Sequence, residues 1–403
     1  MTNLDIQETG REGELLIRSC RVKINGNTIV TPTRTIGVSL SAATELQEAK
    51  RFIGNKFKPF GEVFVRIKLN DIDEYIIDAG KREKFNAKLS RRVGQLKDAG
   101  ALPYVLLSIL DNNGYPLNRL LPPNELEFIF NVLWGIPGNS IITTPLLGTL
   151  ESPDEHGKLI EAFFKRQTDS IDRKNQPLMA IIPSSYYALN EPKLIEKYWE
   201  CGVRIFGYNC ENKKYGAYSI AIDSLHNLLS QLSKKSEEEY ILNAINSKYK
   251  YGKANTSRIN NLIGAGFGFD TYSPNHISPK FIVFSEKGDS PRRYVFNEKD
   301  YGFIDTKELN NMKNIDDLID TNAFKNIDLS ELNTLGDYQL KKLCTSHDIE
   351  KTIKEISNYS AYIENNELIK HLSSKAKIVA ERAEIEGINR HQSKSTDEEW
   401  FSK

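Results

Sequence analysis

The chain has 403 residues, with 54 Lys+Arg balanced by 54 Asp+Glu, so its formal net charge is zero. Hydrophobic residues make up 39 % and charged residues 27 %, a globular mixture that excludes an intrinsically disordered chain. Zero net charge removes the global electrostatic argument for nucleic-acid binding, which must then rest on local patches. Four cysteines (Cys20, Cys201, Cys210 and Cys344) are too few and too scattered for a disulfide scaffold or a Cys-x-x-Cys zinc site. Residues 1–13 are polar and acidic, unlike a signal peptide, and no run approaches the ~18 apolar residues of a membrane span. A cytoplasmic protein with no membrane partner is expected.

In chain order, the pattern predicts a hairpin over 14–29 with the turn Asn25-Gly26-Asn27, then strands over 33–39, 63–69, 74–78, 140–147, 178–183, 203–209, 240–246 and 266–271. Most connecting segments have helical periodicity; Leu159, Ile160, Phe163 and Phe164 fall on one face. Alternating strands and helices argue for parallel βα units, and eight of them for an α/β fold closed as a TIM (β/α)8 barrel behind an N-terminal β hairpin; an open doubly wound sheet is the alternative. The apolar run 103–109 reads as an excursion inside a long connection. Beyond residue 304 the texture changes: 305–333 is rich in Asp and Asn, and 335–380 reads as two or three amphipathic helices. The expected division is a barrel over 1–304, a C-terminal helical extension over 305–390 and a disordered tail over 391–403.

Barrel chemistry sits at the C-terminal ends of the strands. Two carboxylates close predicted strands: Asp78 after Tyr75-Ile76-Ile77, and Asp270 after Gly266-Phe267-Gly268-Phe269. An Asp ending an apolar strand is costly to bury unless its charge is used or satisfied. Either can be a helix-capping Asp, and the two together suggest a carboxylate pair at a glycosidic carbon.

The order of landmarks resembles the tRNA-guanine transglycosylases and their 7-deazaguanine-inserting relatives, from about residue 13 to 375. Gly13-Glu14-Leu15, then Asn27-Thr28-Ile29-Val30-Thr31-Pro32, looks like the family's opening. Ile77-Asp78-Ala79-Gly80 stands where the family has Asp-Ser-Gly-Gly, whose Asp is the acid/base group. Leu110-Asp111-Asn112-Asn113-Gly114 and Leu121-Pro122-Pro123-Asn124-Glu125 resemble "Leu-Asp-Gly" and "Leu-(Ser/Thr)-Pro-Glu". Phe269-Asp270-Thr271 matches Phe-Asp-(Ser/Cys), whose Asp is the nucleophile. The resemblance therefore implies Asp270 and Asp78 as catalytic residues, with Gly80, Ser184, Gly207 and Tyr208 around the base. This chain departs from the family in several places. The zinc cluster is missing: 305–328 has no cysteine and His347 stands alone, so neither metal nor cofactor is expected. Pro183-Ser184-Ser185 replaces a Gln-Gly-Gly turn, Gly207-Tyr208-Asn209 replaces Gly-Gly-Leu, and Pro145 stands where a further Asp is usual.

Two basic stretches flank the predicted strand ends. Residues 81–92 carry Lys81, Arg82, Lys84, Lys88, Arg91 and Arg92, and 248–253 interleaves Lys248, Lys250 and Lys253 with Tyr249 and Tyr251. Cations for phosphates and rings for bases suit a flipped or single-stranded nucleotide, although a solvated helix face and a surface loop account for them too. The implied reaction is exchange of guanine for a free 7-deazaguanine base through a covalent Asp–sugar intermediate, in DNA by preference and in tRNA as the alternative. No Gly-x-x-x-x-Gly-Lys-(Ser/Thr) motif is present, so opening a DNA duplex would need a helper protein. A non-catalytic partner subunit and an unrelated nucleoside glycosidase are the competing readings.

Overall fold

The computed structural model describes residues 4–13, 16–54, 57–148, 150, 153–169, 176–183, 192–247, 260–274, 276, 293–311, 315–325, 327, 332 and 334–393. Strands β1 (Leu4–Arg11), β2 (Arg18–Ile24) and β3 (Asn27–Val30) form an antiparallel sheet. Its β2–β3 turn is Asn25-Gly26, both at positive φ (50° and 81°), as a tight hairpin requires.

Then follow β4 (Thr33–Arg34), β5 (Ile36–Ser39), α1 (Thr44–Ala49), β6 (Phe60–Lys68), α2 (Leu69–Ile77), α3 (Ala79–Asp98), β7 (Leu102–Leu110), α4 (Pro123–Gly135) and β8 (Ile142–Thr143). Next come α5 (Pro153–Asp169), β9 (Leu178–Pro183), α6 (Pro192–Glu200), β10 (Ile205–Asn209), α7 (Ser219–Ser236), β11 (Ile241–Ile245) and β12 (Thr271–Tyr272). The chain continues with a ribbon of β13 (Tyr294–Asn297) and β14 (Gly302–Asp305), then α8 (Ile315–Ile319), α9 (Asp337–Glu364), α10 (Leu368–Ser373), α11 (Ala376–Val379) and α12 (Arg382–Ser393).

The result is a mixed α/β fold. One parallel sheet has six strands in the order β4-β12-β11-β10-β9-β8, and a second has three, β5-β6-β7. Parallel bridges Tyr104–Ile141 and Ser108–Leu146 link β7 to the segment around β8. These strands are nearly continuous hydrophobic runs because both faces are covered. Val105, Leu107, Ala180, Ile182, Phe206, Leu242 and Ala244 pack into the core shared with the helices. On the other face, Phe60, Leu102, Tyr104, Met179, Ile181, Ile205 and Ile241 meet Cys20, Val22, Ile24 and Ile29 of the N-terminal sheet.

The predicted strands 63–69, 178–183, 203–209 and 240–246 are found with small changes of boundary, whereas 33–39 is split into β4 and β5 and 140–147 shrinks to β8. Three other expectations are corrected. Residues 74–77 are helical, at the end of α2, and Asp78 is the extended residue between α2 and α3, because Ile72 is buried and the Tyr75 ring stacks on Phe85 (4.9 Å) and Phe128 (6.0 Å), contacts that helical spacing provides. Run 103–109 is the centre of β7, paired along its length with β6. Residues Asn261–Phe267 form a 3-10 helix, and β12 begins only at Thr271.

The two or three helices expected over 335–380 are α9, α10 and α11, of which α9 is the longest. The ribbon packs against it, and Val295 shares a cluster with Leu309, Leu318, Phe324, Leu332 and Cys344. Both ring nitrogens of His347 are within hydrogen-bonding distance of protein atoms, Nδ1 of Thr321 Oγ1 and Nε2 of Phe296 O, each at 3.1 Å. Glu12 of the N-terminal segment accepts the Leu368 and Ile369 N–H groups (3.0 and 3.1 Å), tying the two ends of the chain together. Among the described residues, no helix is long and apolar enough to cross a membrane.

Candidate active site

All strands of the two parallel sheets point their C-terminal ends to one side, where sheet enzymes place their chemistry. The two expected catalytic carboxylates are not brought together there. Asp78 is the exposed N-cap of α3, its Oδ1 accepting the Lys81 N–H at 3.0 Å. That N–H holds its carboxyl below the usual range, as expected of a capping Asp.

Asp270 lies at the opposite end, just before β12 begins. Its side chain is 0 % exposed; Oδ2 accepts the Leu242 N–H (2.9 Å) and an Arg18 N–H (3.3 Å), and Oδ1 accepts the Thr31 hydroxyl (3.3 Å). Burial pushes its carboxyl up, against the pull of Arg18 and these hydrogen bonds. Arg18 also reaches Glu239 (2.7 Å) and lies over the Tyr240 ring, 3.9 Å from its centroid. The N-terminal sheet thus closes over Asp270 and turns it into an anchor for β2.

The expected base-reading residues separate similarly. Gly80 is exposed in the first turn of α3. Gly207 faces the N-terminal-sheet side of β10, where a Cβ would lie 2.5 Å from Ile245 Cδ1 and 2.7 Å from Ile181 Cδ1. Its glycine is required by packing between two strands. Gly207→Ala is expected to cost about 1–3 kcal/mol in urea unfolding. Ile245→Val, which removes the obstructing methyl, is expected to recover much of that. Loss of ligand binding with unchanged stability would instead mark a base-reading turn. Tyr208 points the other way, into the helix-side core beside Phe269 (5.9 Å between ring centroids).

On α3, Lys88 and Arg91 are exposed, whereas Arg92 is buried, ties the helix to the loop after β5 through Leu40 O (3.0 Å) and donates within the helix to Gln95 (2.9 Å). Arg92 is therefore corrected from a phosphate-facing cation to a structural one. Lys81, Lys84, Lys88 and Arg91 share one face at 3,4,3 spacing, a stripe of about 15 Å at 1.5 Å per residue. Ser184, Lys248, Lys250 and Lys253 lie outside the described residues.

The C-terminal strand ends present different groups. Moving along the face shared with the N-terminal sheet, the apolar layer of Phe60, Leu102, Met179, Ile205 and Ile241 gives way to a polar layer. Glu62, 0 % exposed, accepts the Tyr104 hydroxyl (2.9 Å). Tyr104 in turn meets Ser273 Oγ (2.8 Å) and Asn243 Nδ2 (3.1 Å), and Thr271 donates to Asn243 Oδ1 (2.7 Å). Above this layer His276 pairs through Nε2 with Glu62 and stacks on Phe64, with 3.6 Å between centroids and 6° between planes. The His276 backbone is pinned at both ends: its N–H donates to Asn246 Oδ1 (3.1 Å) and its carbonyl accepts from Arg66 (2.9 Å).

His276 and Phe64 open into a cleft of about 450 Å³, completed by Arg34, Glu45, Ser247, Asn260, Asn261, Phe303 and, from α9, Lys341 and Asp348. Arg34 and Glu45 form an ion pair on its wall. A pocket of this size with a few convergent polar groups suits a small, planar, polar ligand. Asp111, half-buried immediately after β7, accepts the Tyr115 N–H on Oδ1 at 2.8 Å and is not among the described residues that line the cleft.

Glu62 has a signal in the sequence, an acid inside Phe60-Gly61-Glu62-Val63-Phe64; a strand begun at Val63 leaves it out. His276 has none, since only the meeting of β6 with the segment after β12 gives it a partner. Neither a family model nor a curated protein matches the chain.

Proposed function

We propose that the two parallel sheets form one closed (β/α)8 barrel and that its C-terminal rim carries out the base exchange implied by the sequence resemblance, guanine for a 7-deazaguanine, in DNA by preference and otherwise in tRNA. Closure is supported by the pairing pattern. β4 and β5 are one strand interrupted at Thr35, β12 pairs with β4, β5 pairs with β6, and bridges join β7 to the β8 segment. Every parallel strand then has a neighbour on each side, and the N-terminal sheet plugs the far end.

The observation that carries the functional reading is the polar cleft at the C-terminal strand ends. On this reading the reacting nucleotide leaves its stack, at a cost of a few kcal/mol, and enters the cleft while the α3 stripe holds flanking phosphates. A carboxylate attacks the sugar carbon as the bond to the departing base breaks. The incoming base then displaces that carboxylate, and two displacements retain configuration.

Nucleoside mass spectrometry on total DNA and total tRNA, from cells with and without the gene, tests the reading. A 7-deazaguanosine is expected only with the gene, and the pool that holds it decides between DNA and tRNA. Asp78→Ala, at a helix cap outside the cleft, is expected to leave that signal intact.

The sealing of Asp270 beneath Arg18 favours a second reading, a non-catalytic partner subunit, because the expected carboxylate pair is not assembled. Unchanged nucleosides in both pools would put that reading first.

A further inference from the structure

We propose that His276 is the proton-transfer residue of the cleft and that Glu62 is the positioning residue that orients and balances it. The proposal rests on the base-exchange reading. A carboxylate buried as completely as Glu62 is costly unless its oxygens are satisfied. Its partners here are a phenol and an imidazole, with no Lys or Arg hydrogen-bonded to it among the described residues. The imidazole is therefore the group that can bring a balancing positive charge.

Five polar side chains build this arrangement. Thr271 and Ser273 orient Asn243, Asn243 and Ser273 orient Tyr104, and Tyr104 holds one Glu62 oxygen while His276 holds the other. Such a chain of fixed dipoles keeps a base in one orientation. With Nε2 engaged by Glu62, the ring clamped on Phe64 and its side chain 12 % exposed, His276 presents Nδ1 to a ligand in the cleft.

The proton balance closes without a co-reactant. As the bond from the sugar to the departing base breaks, its electron pair goes to the base nitrogen, which takes the Nδ1 proton of the imidazolium. The incoming base loses its ring N–H proton to the same Nδ1 as its nitrogen attacks the sugar carbon. The cycle ends with the imidazolium restored opposite Glu62, as expected of one general acid–base group serving both half-reactions.

The test uses the full chain, a single-stranded DNA oligonucleotide containing guanine, free 7-cyano-7-deazaguanine as the probe, and imidazole-15N NMR, with His276→Asn assigning the resonance. The probe is expected to shift the His276 Nδ1 signal. Glu62→Gln is expected to shift the His276 Nε2 signal by removing the carboxylate that it faces, and Tyr104→Phe supplies a milder disturbance of the same network should Glu62→Gln fail to fold. His276→Asn is expected to lower kcat for exchange by about 100-fold or more with little change in KM. Exchange at the wild-type rate by His276→Asn would overturn the proposal while leaving base exchange standing. No exchange by the wild-type protein would overturn the base-exchange reading. The NMR then decides the pair by itself: a His276 signal indifferent to both probe and Glu62→Gln sinks it as well.

Discussion

Asp270→Ala is expected to destabilise the protein by about 3 kcal/mol, the low end of the range for removing one partner of a buried ion pair. The reason lies with what remains. Arg18 is 1 % exposed at its side chain and loses a partner it cannot replace with water. It keeps Glu239, which is 30 % exposed at its side chain, and the Tyr240 ring, which is why the low end applies. The Leu242 N–H and the Thr31 hydroxyl lose their acceptor at the same time. Domains are commonly stable by only about 5–15 kcal/mol, so this substitution removes a large share. Replacing both partners, as in Arg18→Met with Asp270→Leu, is expected to be much closer to neutral, because no unpaired charge is left in the interior. Urea unfolding of the three proteins checks the sequence of effects. A wild-type midpoint for Asp270→Ala, with exchange abolished, would restore Asp270 as the nucleophile.

The second large effect is expected at Gly268, two residues earlier. It closes the 3-10 helix Asn261–Phe267 at φ +79°, a left-handed conformation that costs an L-residue roughly 1–2 kcal/mol. A Cβ there would also lie 2.6 Å from Nε2 of His226, a fully buried ring with little room to move. Overpacking adds about 1–3 kcal/mol, giving about 2–5 kcal/mol for Gly268→Ala. His226→Ala in the same chain relieves the overlap but not the backbone, so the double variant is expected to recover only the packing share. Full recovery would mean that φ at this position is free to change. Because Gly268 leads directly into Phe269-Asp270, the same substitution is expected to disturb the contact with Arg18.

These two positions show where local sequence and tertiary structure part. Gly266-Phe267-Gly268-Phe269-Asp270 alternates like a strand that ends in an acid, and that reading sent Asp270 to the catalytic rim. The left-handed Gly268 instead ends a 3-10 helix, so the strand begins after Asp270 and the acid falls at its N-terminal end. Tyr75-Ile76-Ile77-Asp78 failed for the opposite reason. Its β-branched residues favour a strand, but burial of Ile72 and stacking of Tyr75 on two phenylalanines reward a helix. Pro103 argues locally against a central strand, and yet it stands second in β7, where the ladder tolerates the missing N–H.

The sequence by itself determined the alternation of parallel strands and helices, the Asn25-Gly26 hairpin and the helices of the C-terminal segment, because hydrophobic period and turn chemistry are local properties. It also determined which residue types were on hand for chemistry. Only the tertiary structure decided which of them meet. Asp270 was taken out of the candidate site by Arg18, which is 252 residues away in the chain, and His276 was given its carboxylate by Glu62, 214 residues away. Such pairings depend on strand direction and register, which no local pattern encodes.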